Sequence, residues 1–191
     1  DERSHPPRPS STGRGAPGER RIITVMFCDV VGSTALAEQL DAEEWTEIMN
    51  EAFDYLIQPV HRYEGTVARL MGDGILALFG APVAHEDDPQ RAVLAGLGIL
   101  DGIHEFSQNL HTEYGIDFEL RVGINTGPVV VGEVGSSQAG EYTAMGDAVN
   151  LAARMEQTAS PGTLQISEDT WHQVAPLFEL ESLGRIDLKG K

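Results

Sequence analysis

Apolar runs of four to seven residues alternate with two much longer stretches of helical spacing, and this alternation confines the chain to a layered fold of sheet and helix. The runs are IITVMF (22–27), TVARLM (66–71), ILALFG (75–80), FELRVGI (118–124), PVVVGEV (128–134), TLQI (163–166) and FELESLG (178–184), each read as a core strand. Trp45, Ile48, Met49, Ala52, Leu56 and Val60 share one helical face, which predicts an amphipathic helix over about 43–62, disturbed by Pro59. A second helix is predicted over about 89–111, with Asp88 as N-cap and Pro89 at the first helical position. An α/β or α+β sandwich follows. With 41% hydrophobic residues in 191, there is enough apolar material for one domain.

Residues 1–20, rich in Pro, Gly, Ser and Arg, read as a flexible linker or leader, and residues 21–191 as the domain. The final DLKGK directly follows a strand-like run, so a fragment of a longer protein is expected. A net charge of −17 argues against sequence-independent nucleic-acid binding, which needs clustered cations. Any bound nucleotide therefore needs metal ions or local cations. The single cysteine, Cys28, excludes a disulfide framework and a thiolate metal cluster. No apolar stretch approaches the roughly 18–20 residues of a spanning helix, so a soluble, cytoplasmic setting without membrane insertion is expected.

Two aspartates sit beside glycine at strand ends, Asp29 in CDVVGST and Asp73 in RLMGDGILALF. Gly72-Asp73-Gly74 between two apolar runs is also the pattern of a plain hairpin turn. If the two strands are neighbours, however, both carboxylates meet at one sheet edge. Mg²⁺ suits such a pair, because it takes few protein ligands and fills its shell with water and phosphate oxygens. Gly32, Ser33 and Thr34 open a short helical pattern and offer backbone N–H groups to a phosphate, or merely cap that helix.

In GEYTAMGDAVNLAARME (140–156) the apolar stripe is Ala148, Leu151, Ala152 and Met155. Asn150 and Arg154, four apart, share a face turned away from it. That face is either simply solvated or, opposite another surface, able to hold a ribose and an anionic phosphorus centre together. The six histidines show no zinc spacing, His85-Glu86-Asp87-Asp88 reads as an acidic loop before a helix, and GxSxG and the P-loop pattern are absent.

FCDVVGST, RLMGDGILALFG, LRVGINTGPVVVGEVG, YTAMGDAVNLAARM and LKGK, in that order, resemble the catalytic domain of class III nucleotidyl cyclases, adenylyl and guanylyl. The resemblance covers about residues 20–191. It implies a ferredoxin-like βαββαβ core of the α+β class with added elements, forming a head-to-tail homodimer whose active sites draw on both subunits. It further implies that Asp29 and Asp73, with the Val30 carbonyl, bind two divalent cations, Mg²⁺ or Mn²⁺. Asn150 would orient the ribose, Arg154 would stabilise charge at the α-phosphate, and Arg121 and Lys189 would bind the triphosphate. The reaction implied is intramolecular displacement to a 3′,5′-cyclic nucleotide and pyrophosphate.

The purine-reading positions of the family correspond to Arg69 and Thr143. Adenylyl members usually carry Lys at the first, with Asp or Thr at the second; guanylyl members usually carry Glu and Cys. A threonine hydroxyl accepts from the adenine amino group, which favours ATP, while Arg69 replaces the usual lysine with a bulkier planar group. Threonine there also resembles the subgroup that includes bicarbonate-responsive cyclases, so bicarbonate is a candidate activator. The rival readings are a guanylyl cyclase and a cyclase-homology module without turnover. A GGDEF-type enzyme is disfavoured because that motif is absent.

Overall fold

The structure is a computed structural model and describes residues 18–134 and 141–186. Its elements are β1 (Glu19–Val30), α1 (Ser33–Ala37), α2 (Ala42–Arg62), β2 (Thr66–Met71), β3 (Gly74–Phe79), α3 (Asp88–Tyr114), β4 (Leu120–Val134), β5 (Glu141–Met145), α4 (Asp147–Thr158), β6 (Leu164–Ile166) and α5 (Glu168–Val174), followed by a 3-10 turn. The sheet runs β2-β3-β1-β4-β5, with β6 parallel to β4 and every other pairing antiparallel. Taking β1, α2, β2, β3, α3 and β4 alone gives the ferredoxin-like order, so the expected α+β core is present with α1, β5, α4, β6 and α5 added.

Alternation along β1 divides the interior in two. Met26, Cys28 and Val30 join Ile48, Leu56, Ile99 and Phe106 of α2 and α3 in the larger core. Ile23 and Val25 point to the other face, where Ala148 and Ala152 of α4 cover them. α2 begins where Asp41 N–H donates to Glu44, the return half of a capping box, and α3 ends at Gly115 with a left-handed φ of 68°. Pro59 stands in the last turn of α2 and does not end it before Arg62.

Several sequence expectations are corrected. FELRVGI and PVVVGEV belong to one strand, β4. Pro128 sits in the stretch 125–129, where the β4 edge away from β1 has no strand partner, so a missing N–H is tolerated there. TVARLM is a half-exposed edge strand rather than a core strand. FELESLG forms no strand. Phe178 packs on the core, but residues 179–184 are exposed, since Glu179 and Glu181 interrupt the apolar surface and no strand among the described residues pairs with them. Asp88 is not the N-cap: it lies inside α3, buried, and accepts from the His85 backbone N–H at 2.7 Å, leaving Asp87 at the cap position. His85 also bridges Asp88 and Glu64, so the acidic loop is a tied one. β1 starts at Glu19, within the last two residues of the stretch read as leader; residues 1–17 lie outside the described residues.

Candidate active site

Antiparallel register carries the predicted carboxylates to one end of the sheet. Asp29 on β1 faces Gly74, the first residue of β3, and Asp73 is the residue before it in the two-residue turn from β2. The Val30 N–H donates to the Asp73 carbonyl at 2.9 Å, which fixes that turn against the end of β1. Glycine is required at position 74, because a Cβ there would overlap the Cys28 carbonyl oxygen and crowd the Asp29 Cα. Asp73 beside Gly74 is thus a consequence of how closely the two strands approach. The Val30 side chain is buried.

Gly32 caps α1 with φ 65°, turning the chain sharply after β1. The Ser33 hydroxyl donates to Asp73 Oδ2 at 2.7 Å, so Ser33 orients a carboxylate instead of capping the helix. Thr34 is exposed beside it. Ser33, Thr34, Gly72 and Asp73, with Ala37, Glu38 and Trp45, line an open cleft of about 450 Å³. A larger groove, about 680 Å³, runs along α3 past Asp117 and Glu119 and contains none of the predicted site residues.

Arg121, the second residue of β4, stands directly opposite Asp29. Its Nη2 lies 3.6 Å from Asp29 Oδ1, its Nε lies 3.2 Å from Glu156 Oε1, and its Nη1 donates to the Gln157 carbonyl at 3.1 Å. Arg121 is therefore held by α4 and by Asp29. Glu156 is a site residue that the sequence reading missed. It is only 6% exposed, and burial first, then a hydrogen bond to Asp29 and the charge of Asp29, push its carboxyl up to about 8, with Arg121 opposing. The available signal was its spacing: Glu156 follows Ala148 and Ala152 at intervals of four, on the stripe that meets the sheet. Burial and the neighbouring Asp29 and Glu156 charges likewise raise the Cys28 thiol, which leaves it an inert core residue.

α4 turns Ala148, Ala152, Met155 and Glu156 inward. Asn150 is exposed and Arg154 partly so, one turn apart as predicted, and neither lines the cleft beside Asp73. Arg69 is exposed on β2, just past an irregularity in its pairing with β3. Thr143 lies in β5 opposite Gly132, with its side chain outside what is described; Lys189 lies outside the described residues altogether. The structure thus brings Asp29, Val30, Gly32, Ser33, Asp73 and Arg121 to one sheet end, while Asn150 and Arg154 do not line the cleft beside Asp73.

The donor set fits a hard divalent cation. Asp29 Oδ1 is buried without a hydrogen-bond partner, Asp73 precedes the Gly74 that pairs with Asp29, and Asp73 lines an open cleft. Among the described residues no cluster of three or more His, Cys, Asp or Glu side chains forms a ready-made metal cage.

A ferredoxin-like sandwich with an oxygen-donor site at one sheet end and a cleft beside it defines a domain suited to metal-assisted phosphate chemistry. The chain belongs to the adenylate and guanylate cyclase catalytic domain family, whose pattern matches residues 17–191. It is 34% identical to Adenylate cyclase 1 of Rhizobium meliloti (strain 1021) over 137 residues, 72% of this chain and 21% of that protein. Among solved structures it is similar to the guanylyl cyclase Cya2, with TM-score 0.86 and 34% identity over 92% of this chain and 89% of that one. It is also similar to the adenylyl cyclase CyaB from P. aeruginosa, with TM-score 0.85 and 31% identity over 91% of this chain and 90% of that one. The chain spans only 11% to 28% of the length of curated relatives that it matches. No helix among the described residues is long and apolar enough to cross a membrane.

Proposed function

We propose that this domain is an adenylyl cyclase that converts ATP to 3′,5′-cyclic AMP and pyrophosphate by attack of the ribose 3′-hydroxyl on the α-phosphate. The observation that carries the reading is the convergence of Asp29 and Asp73 at one sheet end, where buried Asp29 Oδ1 accepts no hydrogen bond and has only the long 3.6 Å ion pair with Arg121. Asn150 and Arg154 do not line the cleft beside Asp73, which supports a head-to-tail homodimer in which the partner chain brings them to it.

Asp29, Asp73 and the Val30 carbonyl would hold two divalent cations, Mg²⁺ or Mn²⁺, whose chemistry is activation of the hydroxyl and neutralisation of triphosphate charge. The protein's own work is positioning and electrostatics, with no covalent enzyme intermediate. Ser33 fixes the Asp73 carboxylate, and the backbone amides of Gly32, Ser33 and Thr34 face the phosphates. Arg121 would reach the triphosphate by giving up Asp29, its most distant partner, while Glu156 and the Gln157 carbonyl keep the guanidinium against α4. Lys189 adds a second cation. Asn150 orients the ribose and Arg154 meets the charge that builds at the α-phosphate.

Preference for ATP rests on Thr143, whose hydroxyl accepts from the adenine amino group, together with the absence of the Glu and Cys usual in guanylyl members. Guanylyl cyclase activity is the second reading, favoured by Arg69, which can donate to guanine O6, and by similarity to Cya2. Product analysis of the purified domain with ATP or GTP, each with Mg²⁺ and with Mn²⁺, tests the assignment. Cyclic AMP is expected, cyclic GMP as main product would reverse the base preference, and no cyclic product from either would leave a cyclase-homology module without turnover. The same assay carries a bicarbonate arm. Activation by bicarbonate relative to chloride at fixed pH would support it as an activator, and equal rates would remove it.

A further inference from the structure

The helix that carries Asn150 and Arg154 meets β4 at two places where β4 has no side chain. A Cβ on Gly123 would overlap the Glu156 backbone nitrogen, and one on Gly127 would stand 3.0 Å from the Ala148 Cβ. Such contacts set how close α4 comes to the sheet. They are not directional, so they leave its rotation and its position along the strand undetermined.

Asn125 lies between these glycines on the same face of β4 and is 1% exposed. Its Nδ2 donates to the Ala148 carbonyl, in the first turn of α4, at 2.9 Å. Its Oδ1 accepts from the Ser167 hydroxyl at 2.6 Å. From Ser167, a line of hydroxyls continues to Thr170 at 3.3 Å, from there to Thr126 at 3.0 Å, and on to Thr24 in β1 at 2.9 Å. The line passes the β4 edge between the stretch paired with β6 and the stretch paired with β5, where no strand intervenes. Each member is buried, so a broken bond is not replaced by water and the direction of each bond is enforced.

We propose that Asn125 is a positioning residue for the reaction: its carboxamide fixes the rotation and axial position of α4, and through them the placement of Asn150 and Arg154. Asn150 is two residues beyond the carbonyl that Asn125 holds, and Arg154 one further turn along. The Ser167 hydroxyl in turn holds the carboxamide, so α5, which Ser167 caps, is linked to the helix that carries them. This rests on the reading that Asn150 and Arg154 act on the nucleotide from α4. A buried asparagine that only satisfied polar groups would affect folding alone. A positioning asparagine also affects turnover in molecules that have folded.

Asn125→Asp keeps the shape and sets a carboxylate oxygen against the Ala148 carbonyl. Thr24→Val removes the hydroxyl at the far end of the line at nearly constant shape. Both variants are expected to melt earlier than the native domain. Asn125→Asp is expected to lose about tenfold to a hundredfold in kcat with KM within about twofold, as for a misplacement on the ångström scale. Thr24→Val is expected to keep kcat within about twofold, because its loss is in packing and hydrogen bonding remote from α4. Mixed dimers supply a readout that folding alone does not move. Asn125→Asp chains mixed with Asp73→Ala chains regain activity, since one site takes its carboxylates from the first and its α4 from the second; mixed with Asn150→Ala chains they regain none. Native kcat in Asn125→Asp, a loss confined to KM, or recovery with neither partner while the reference mixture recovers overturns the proposal. The reference mixture of Asp73→Ala with Asn150→Ala isolates the two-chain reading. If that mixture alone stays inactive, the two-chain reading fails, and the kcat against KM split of Asn125→Asp decides the positioning role.

Discussion

Asp73→Ala is expected to lower cyclase activity by about a thousandfold or more, the scale on which loss of a metal-binding carboxylate removes both activation of the nucleophile and neutralisation of the triphosphate. The fold should survive. The turn at Asp73 is held by the backbone, through the Met71–Gly74 pairing and the Val30 N–H bond to the Asp73 carbonyl, and the alanine retains both. The side chain gives up only the 2.7 Å bond from the half-buried Ser33 hydroxyl, worth about 1 kcal/mol. Two measurements check this together: Mn²⁺ binding to the protein, which should weaken sharply, and thermal melting, which should change little. Retained Mn²⁺ binding with lost activity would move Asp73 from a ligand to a purely structural turn residue.

Arg154→Ala is expected to lower kcat by about a hundredfold or more with little change in KM, since an oriented donor that meets charge only in the transition state contributes about 2.7–4 kcal/mol. Lysine at the same place restores charge but not the planar fork, so Arg154→Lys should recover only part of the loss. Steady-state kinetics on ATP distinguish the roles. A rise in KM with unchanged kcat would make Arg154 a ground-state phosphate ligand instead.

The core of this fold was legible because it is written in local spacing. The apolar runs at 22–27 and 75–80 became β1 and β3, and the helical faces at 43–62 and 89–111 became α2 and α3 with ends shifted by one to three residues. The pairing of Asp29 with the Asp73 turn could be anticipated, because both lie at strand ends beside glycine and a sheet joins such ends when the strands are neighbours. Pro128 and Asp88 were misread for a shared reason. Each carries a strong local signal, a breaker and a cap, and the surroundings outweighed it: an unpaired strand edge tolerates the proline, and the His85 backbone claims the aspartate.

Glu156 and the restraint on Arg121 were not legible, because their environment is made by another element. Glu156 reaches Asp29 and Arg121 only because Gly123 allows the backbone of α4 to lie directly on β4. The spacing of Ala148, Ala152 and Glu156 places the acid on the buried stripe, but it does not name Asp29 and Arg121 as its neighbours. Asn125 was invisible for the same reason, since its two partners, Ala148 and Ser167, come from separate elements. The roles of Asn150 and Arg154 come from the resemblance to dimeric cyclases, and their meeting with the carboxylates across two chains is part of the proposal.

The two-chain site is tested most directly by mixing inactive Asp73→Ala protein with inactive Asn150→Ala protein and assaying cyclic AMP after subunit exchange. Each heterodimer contains one site with both Asp73 and Asn150 intact, so activity is predicted to return to about a quarter of the native level, as expected for random pairing with one working site in half the dimers. Continued inactivity of the mixture, with both proteins folded and exchanging subunits, would contradict the account.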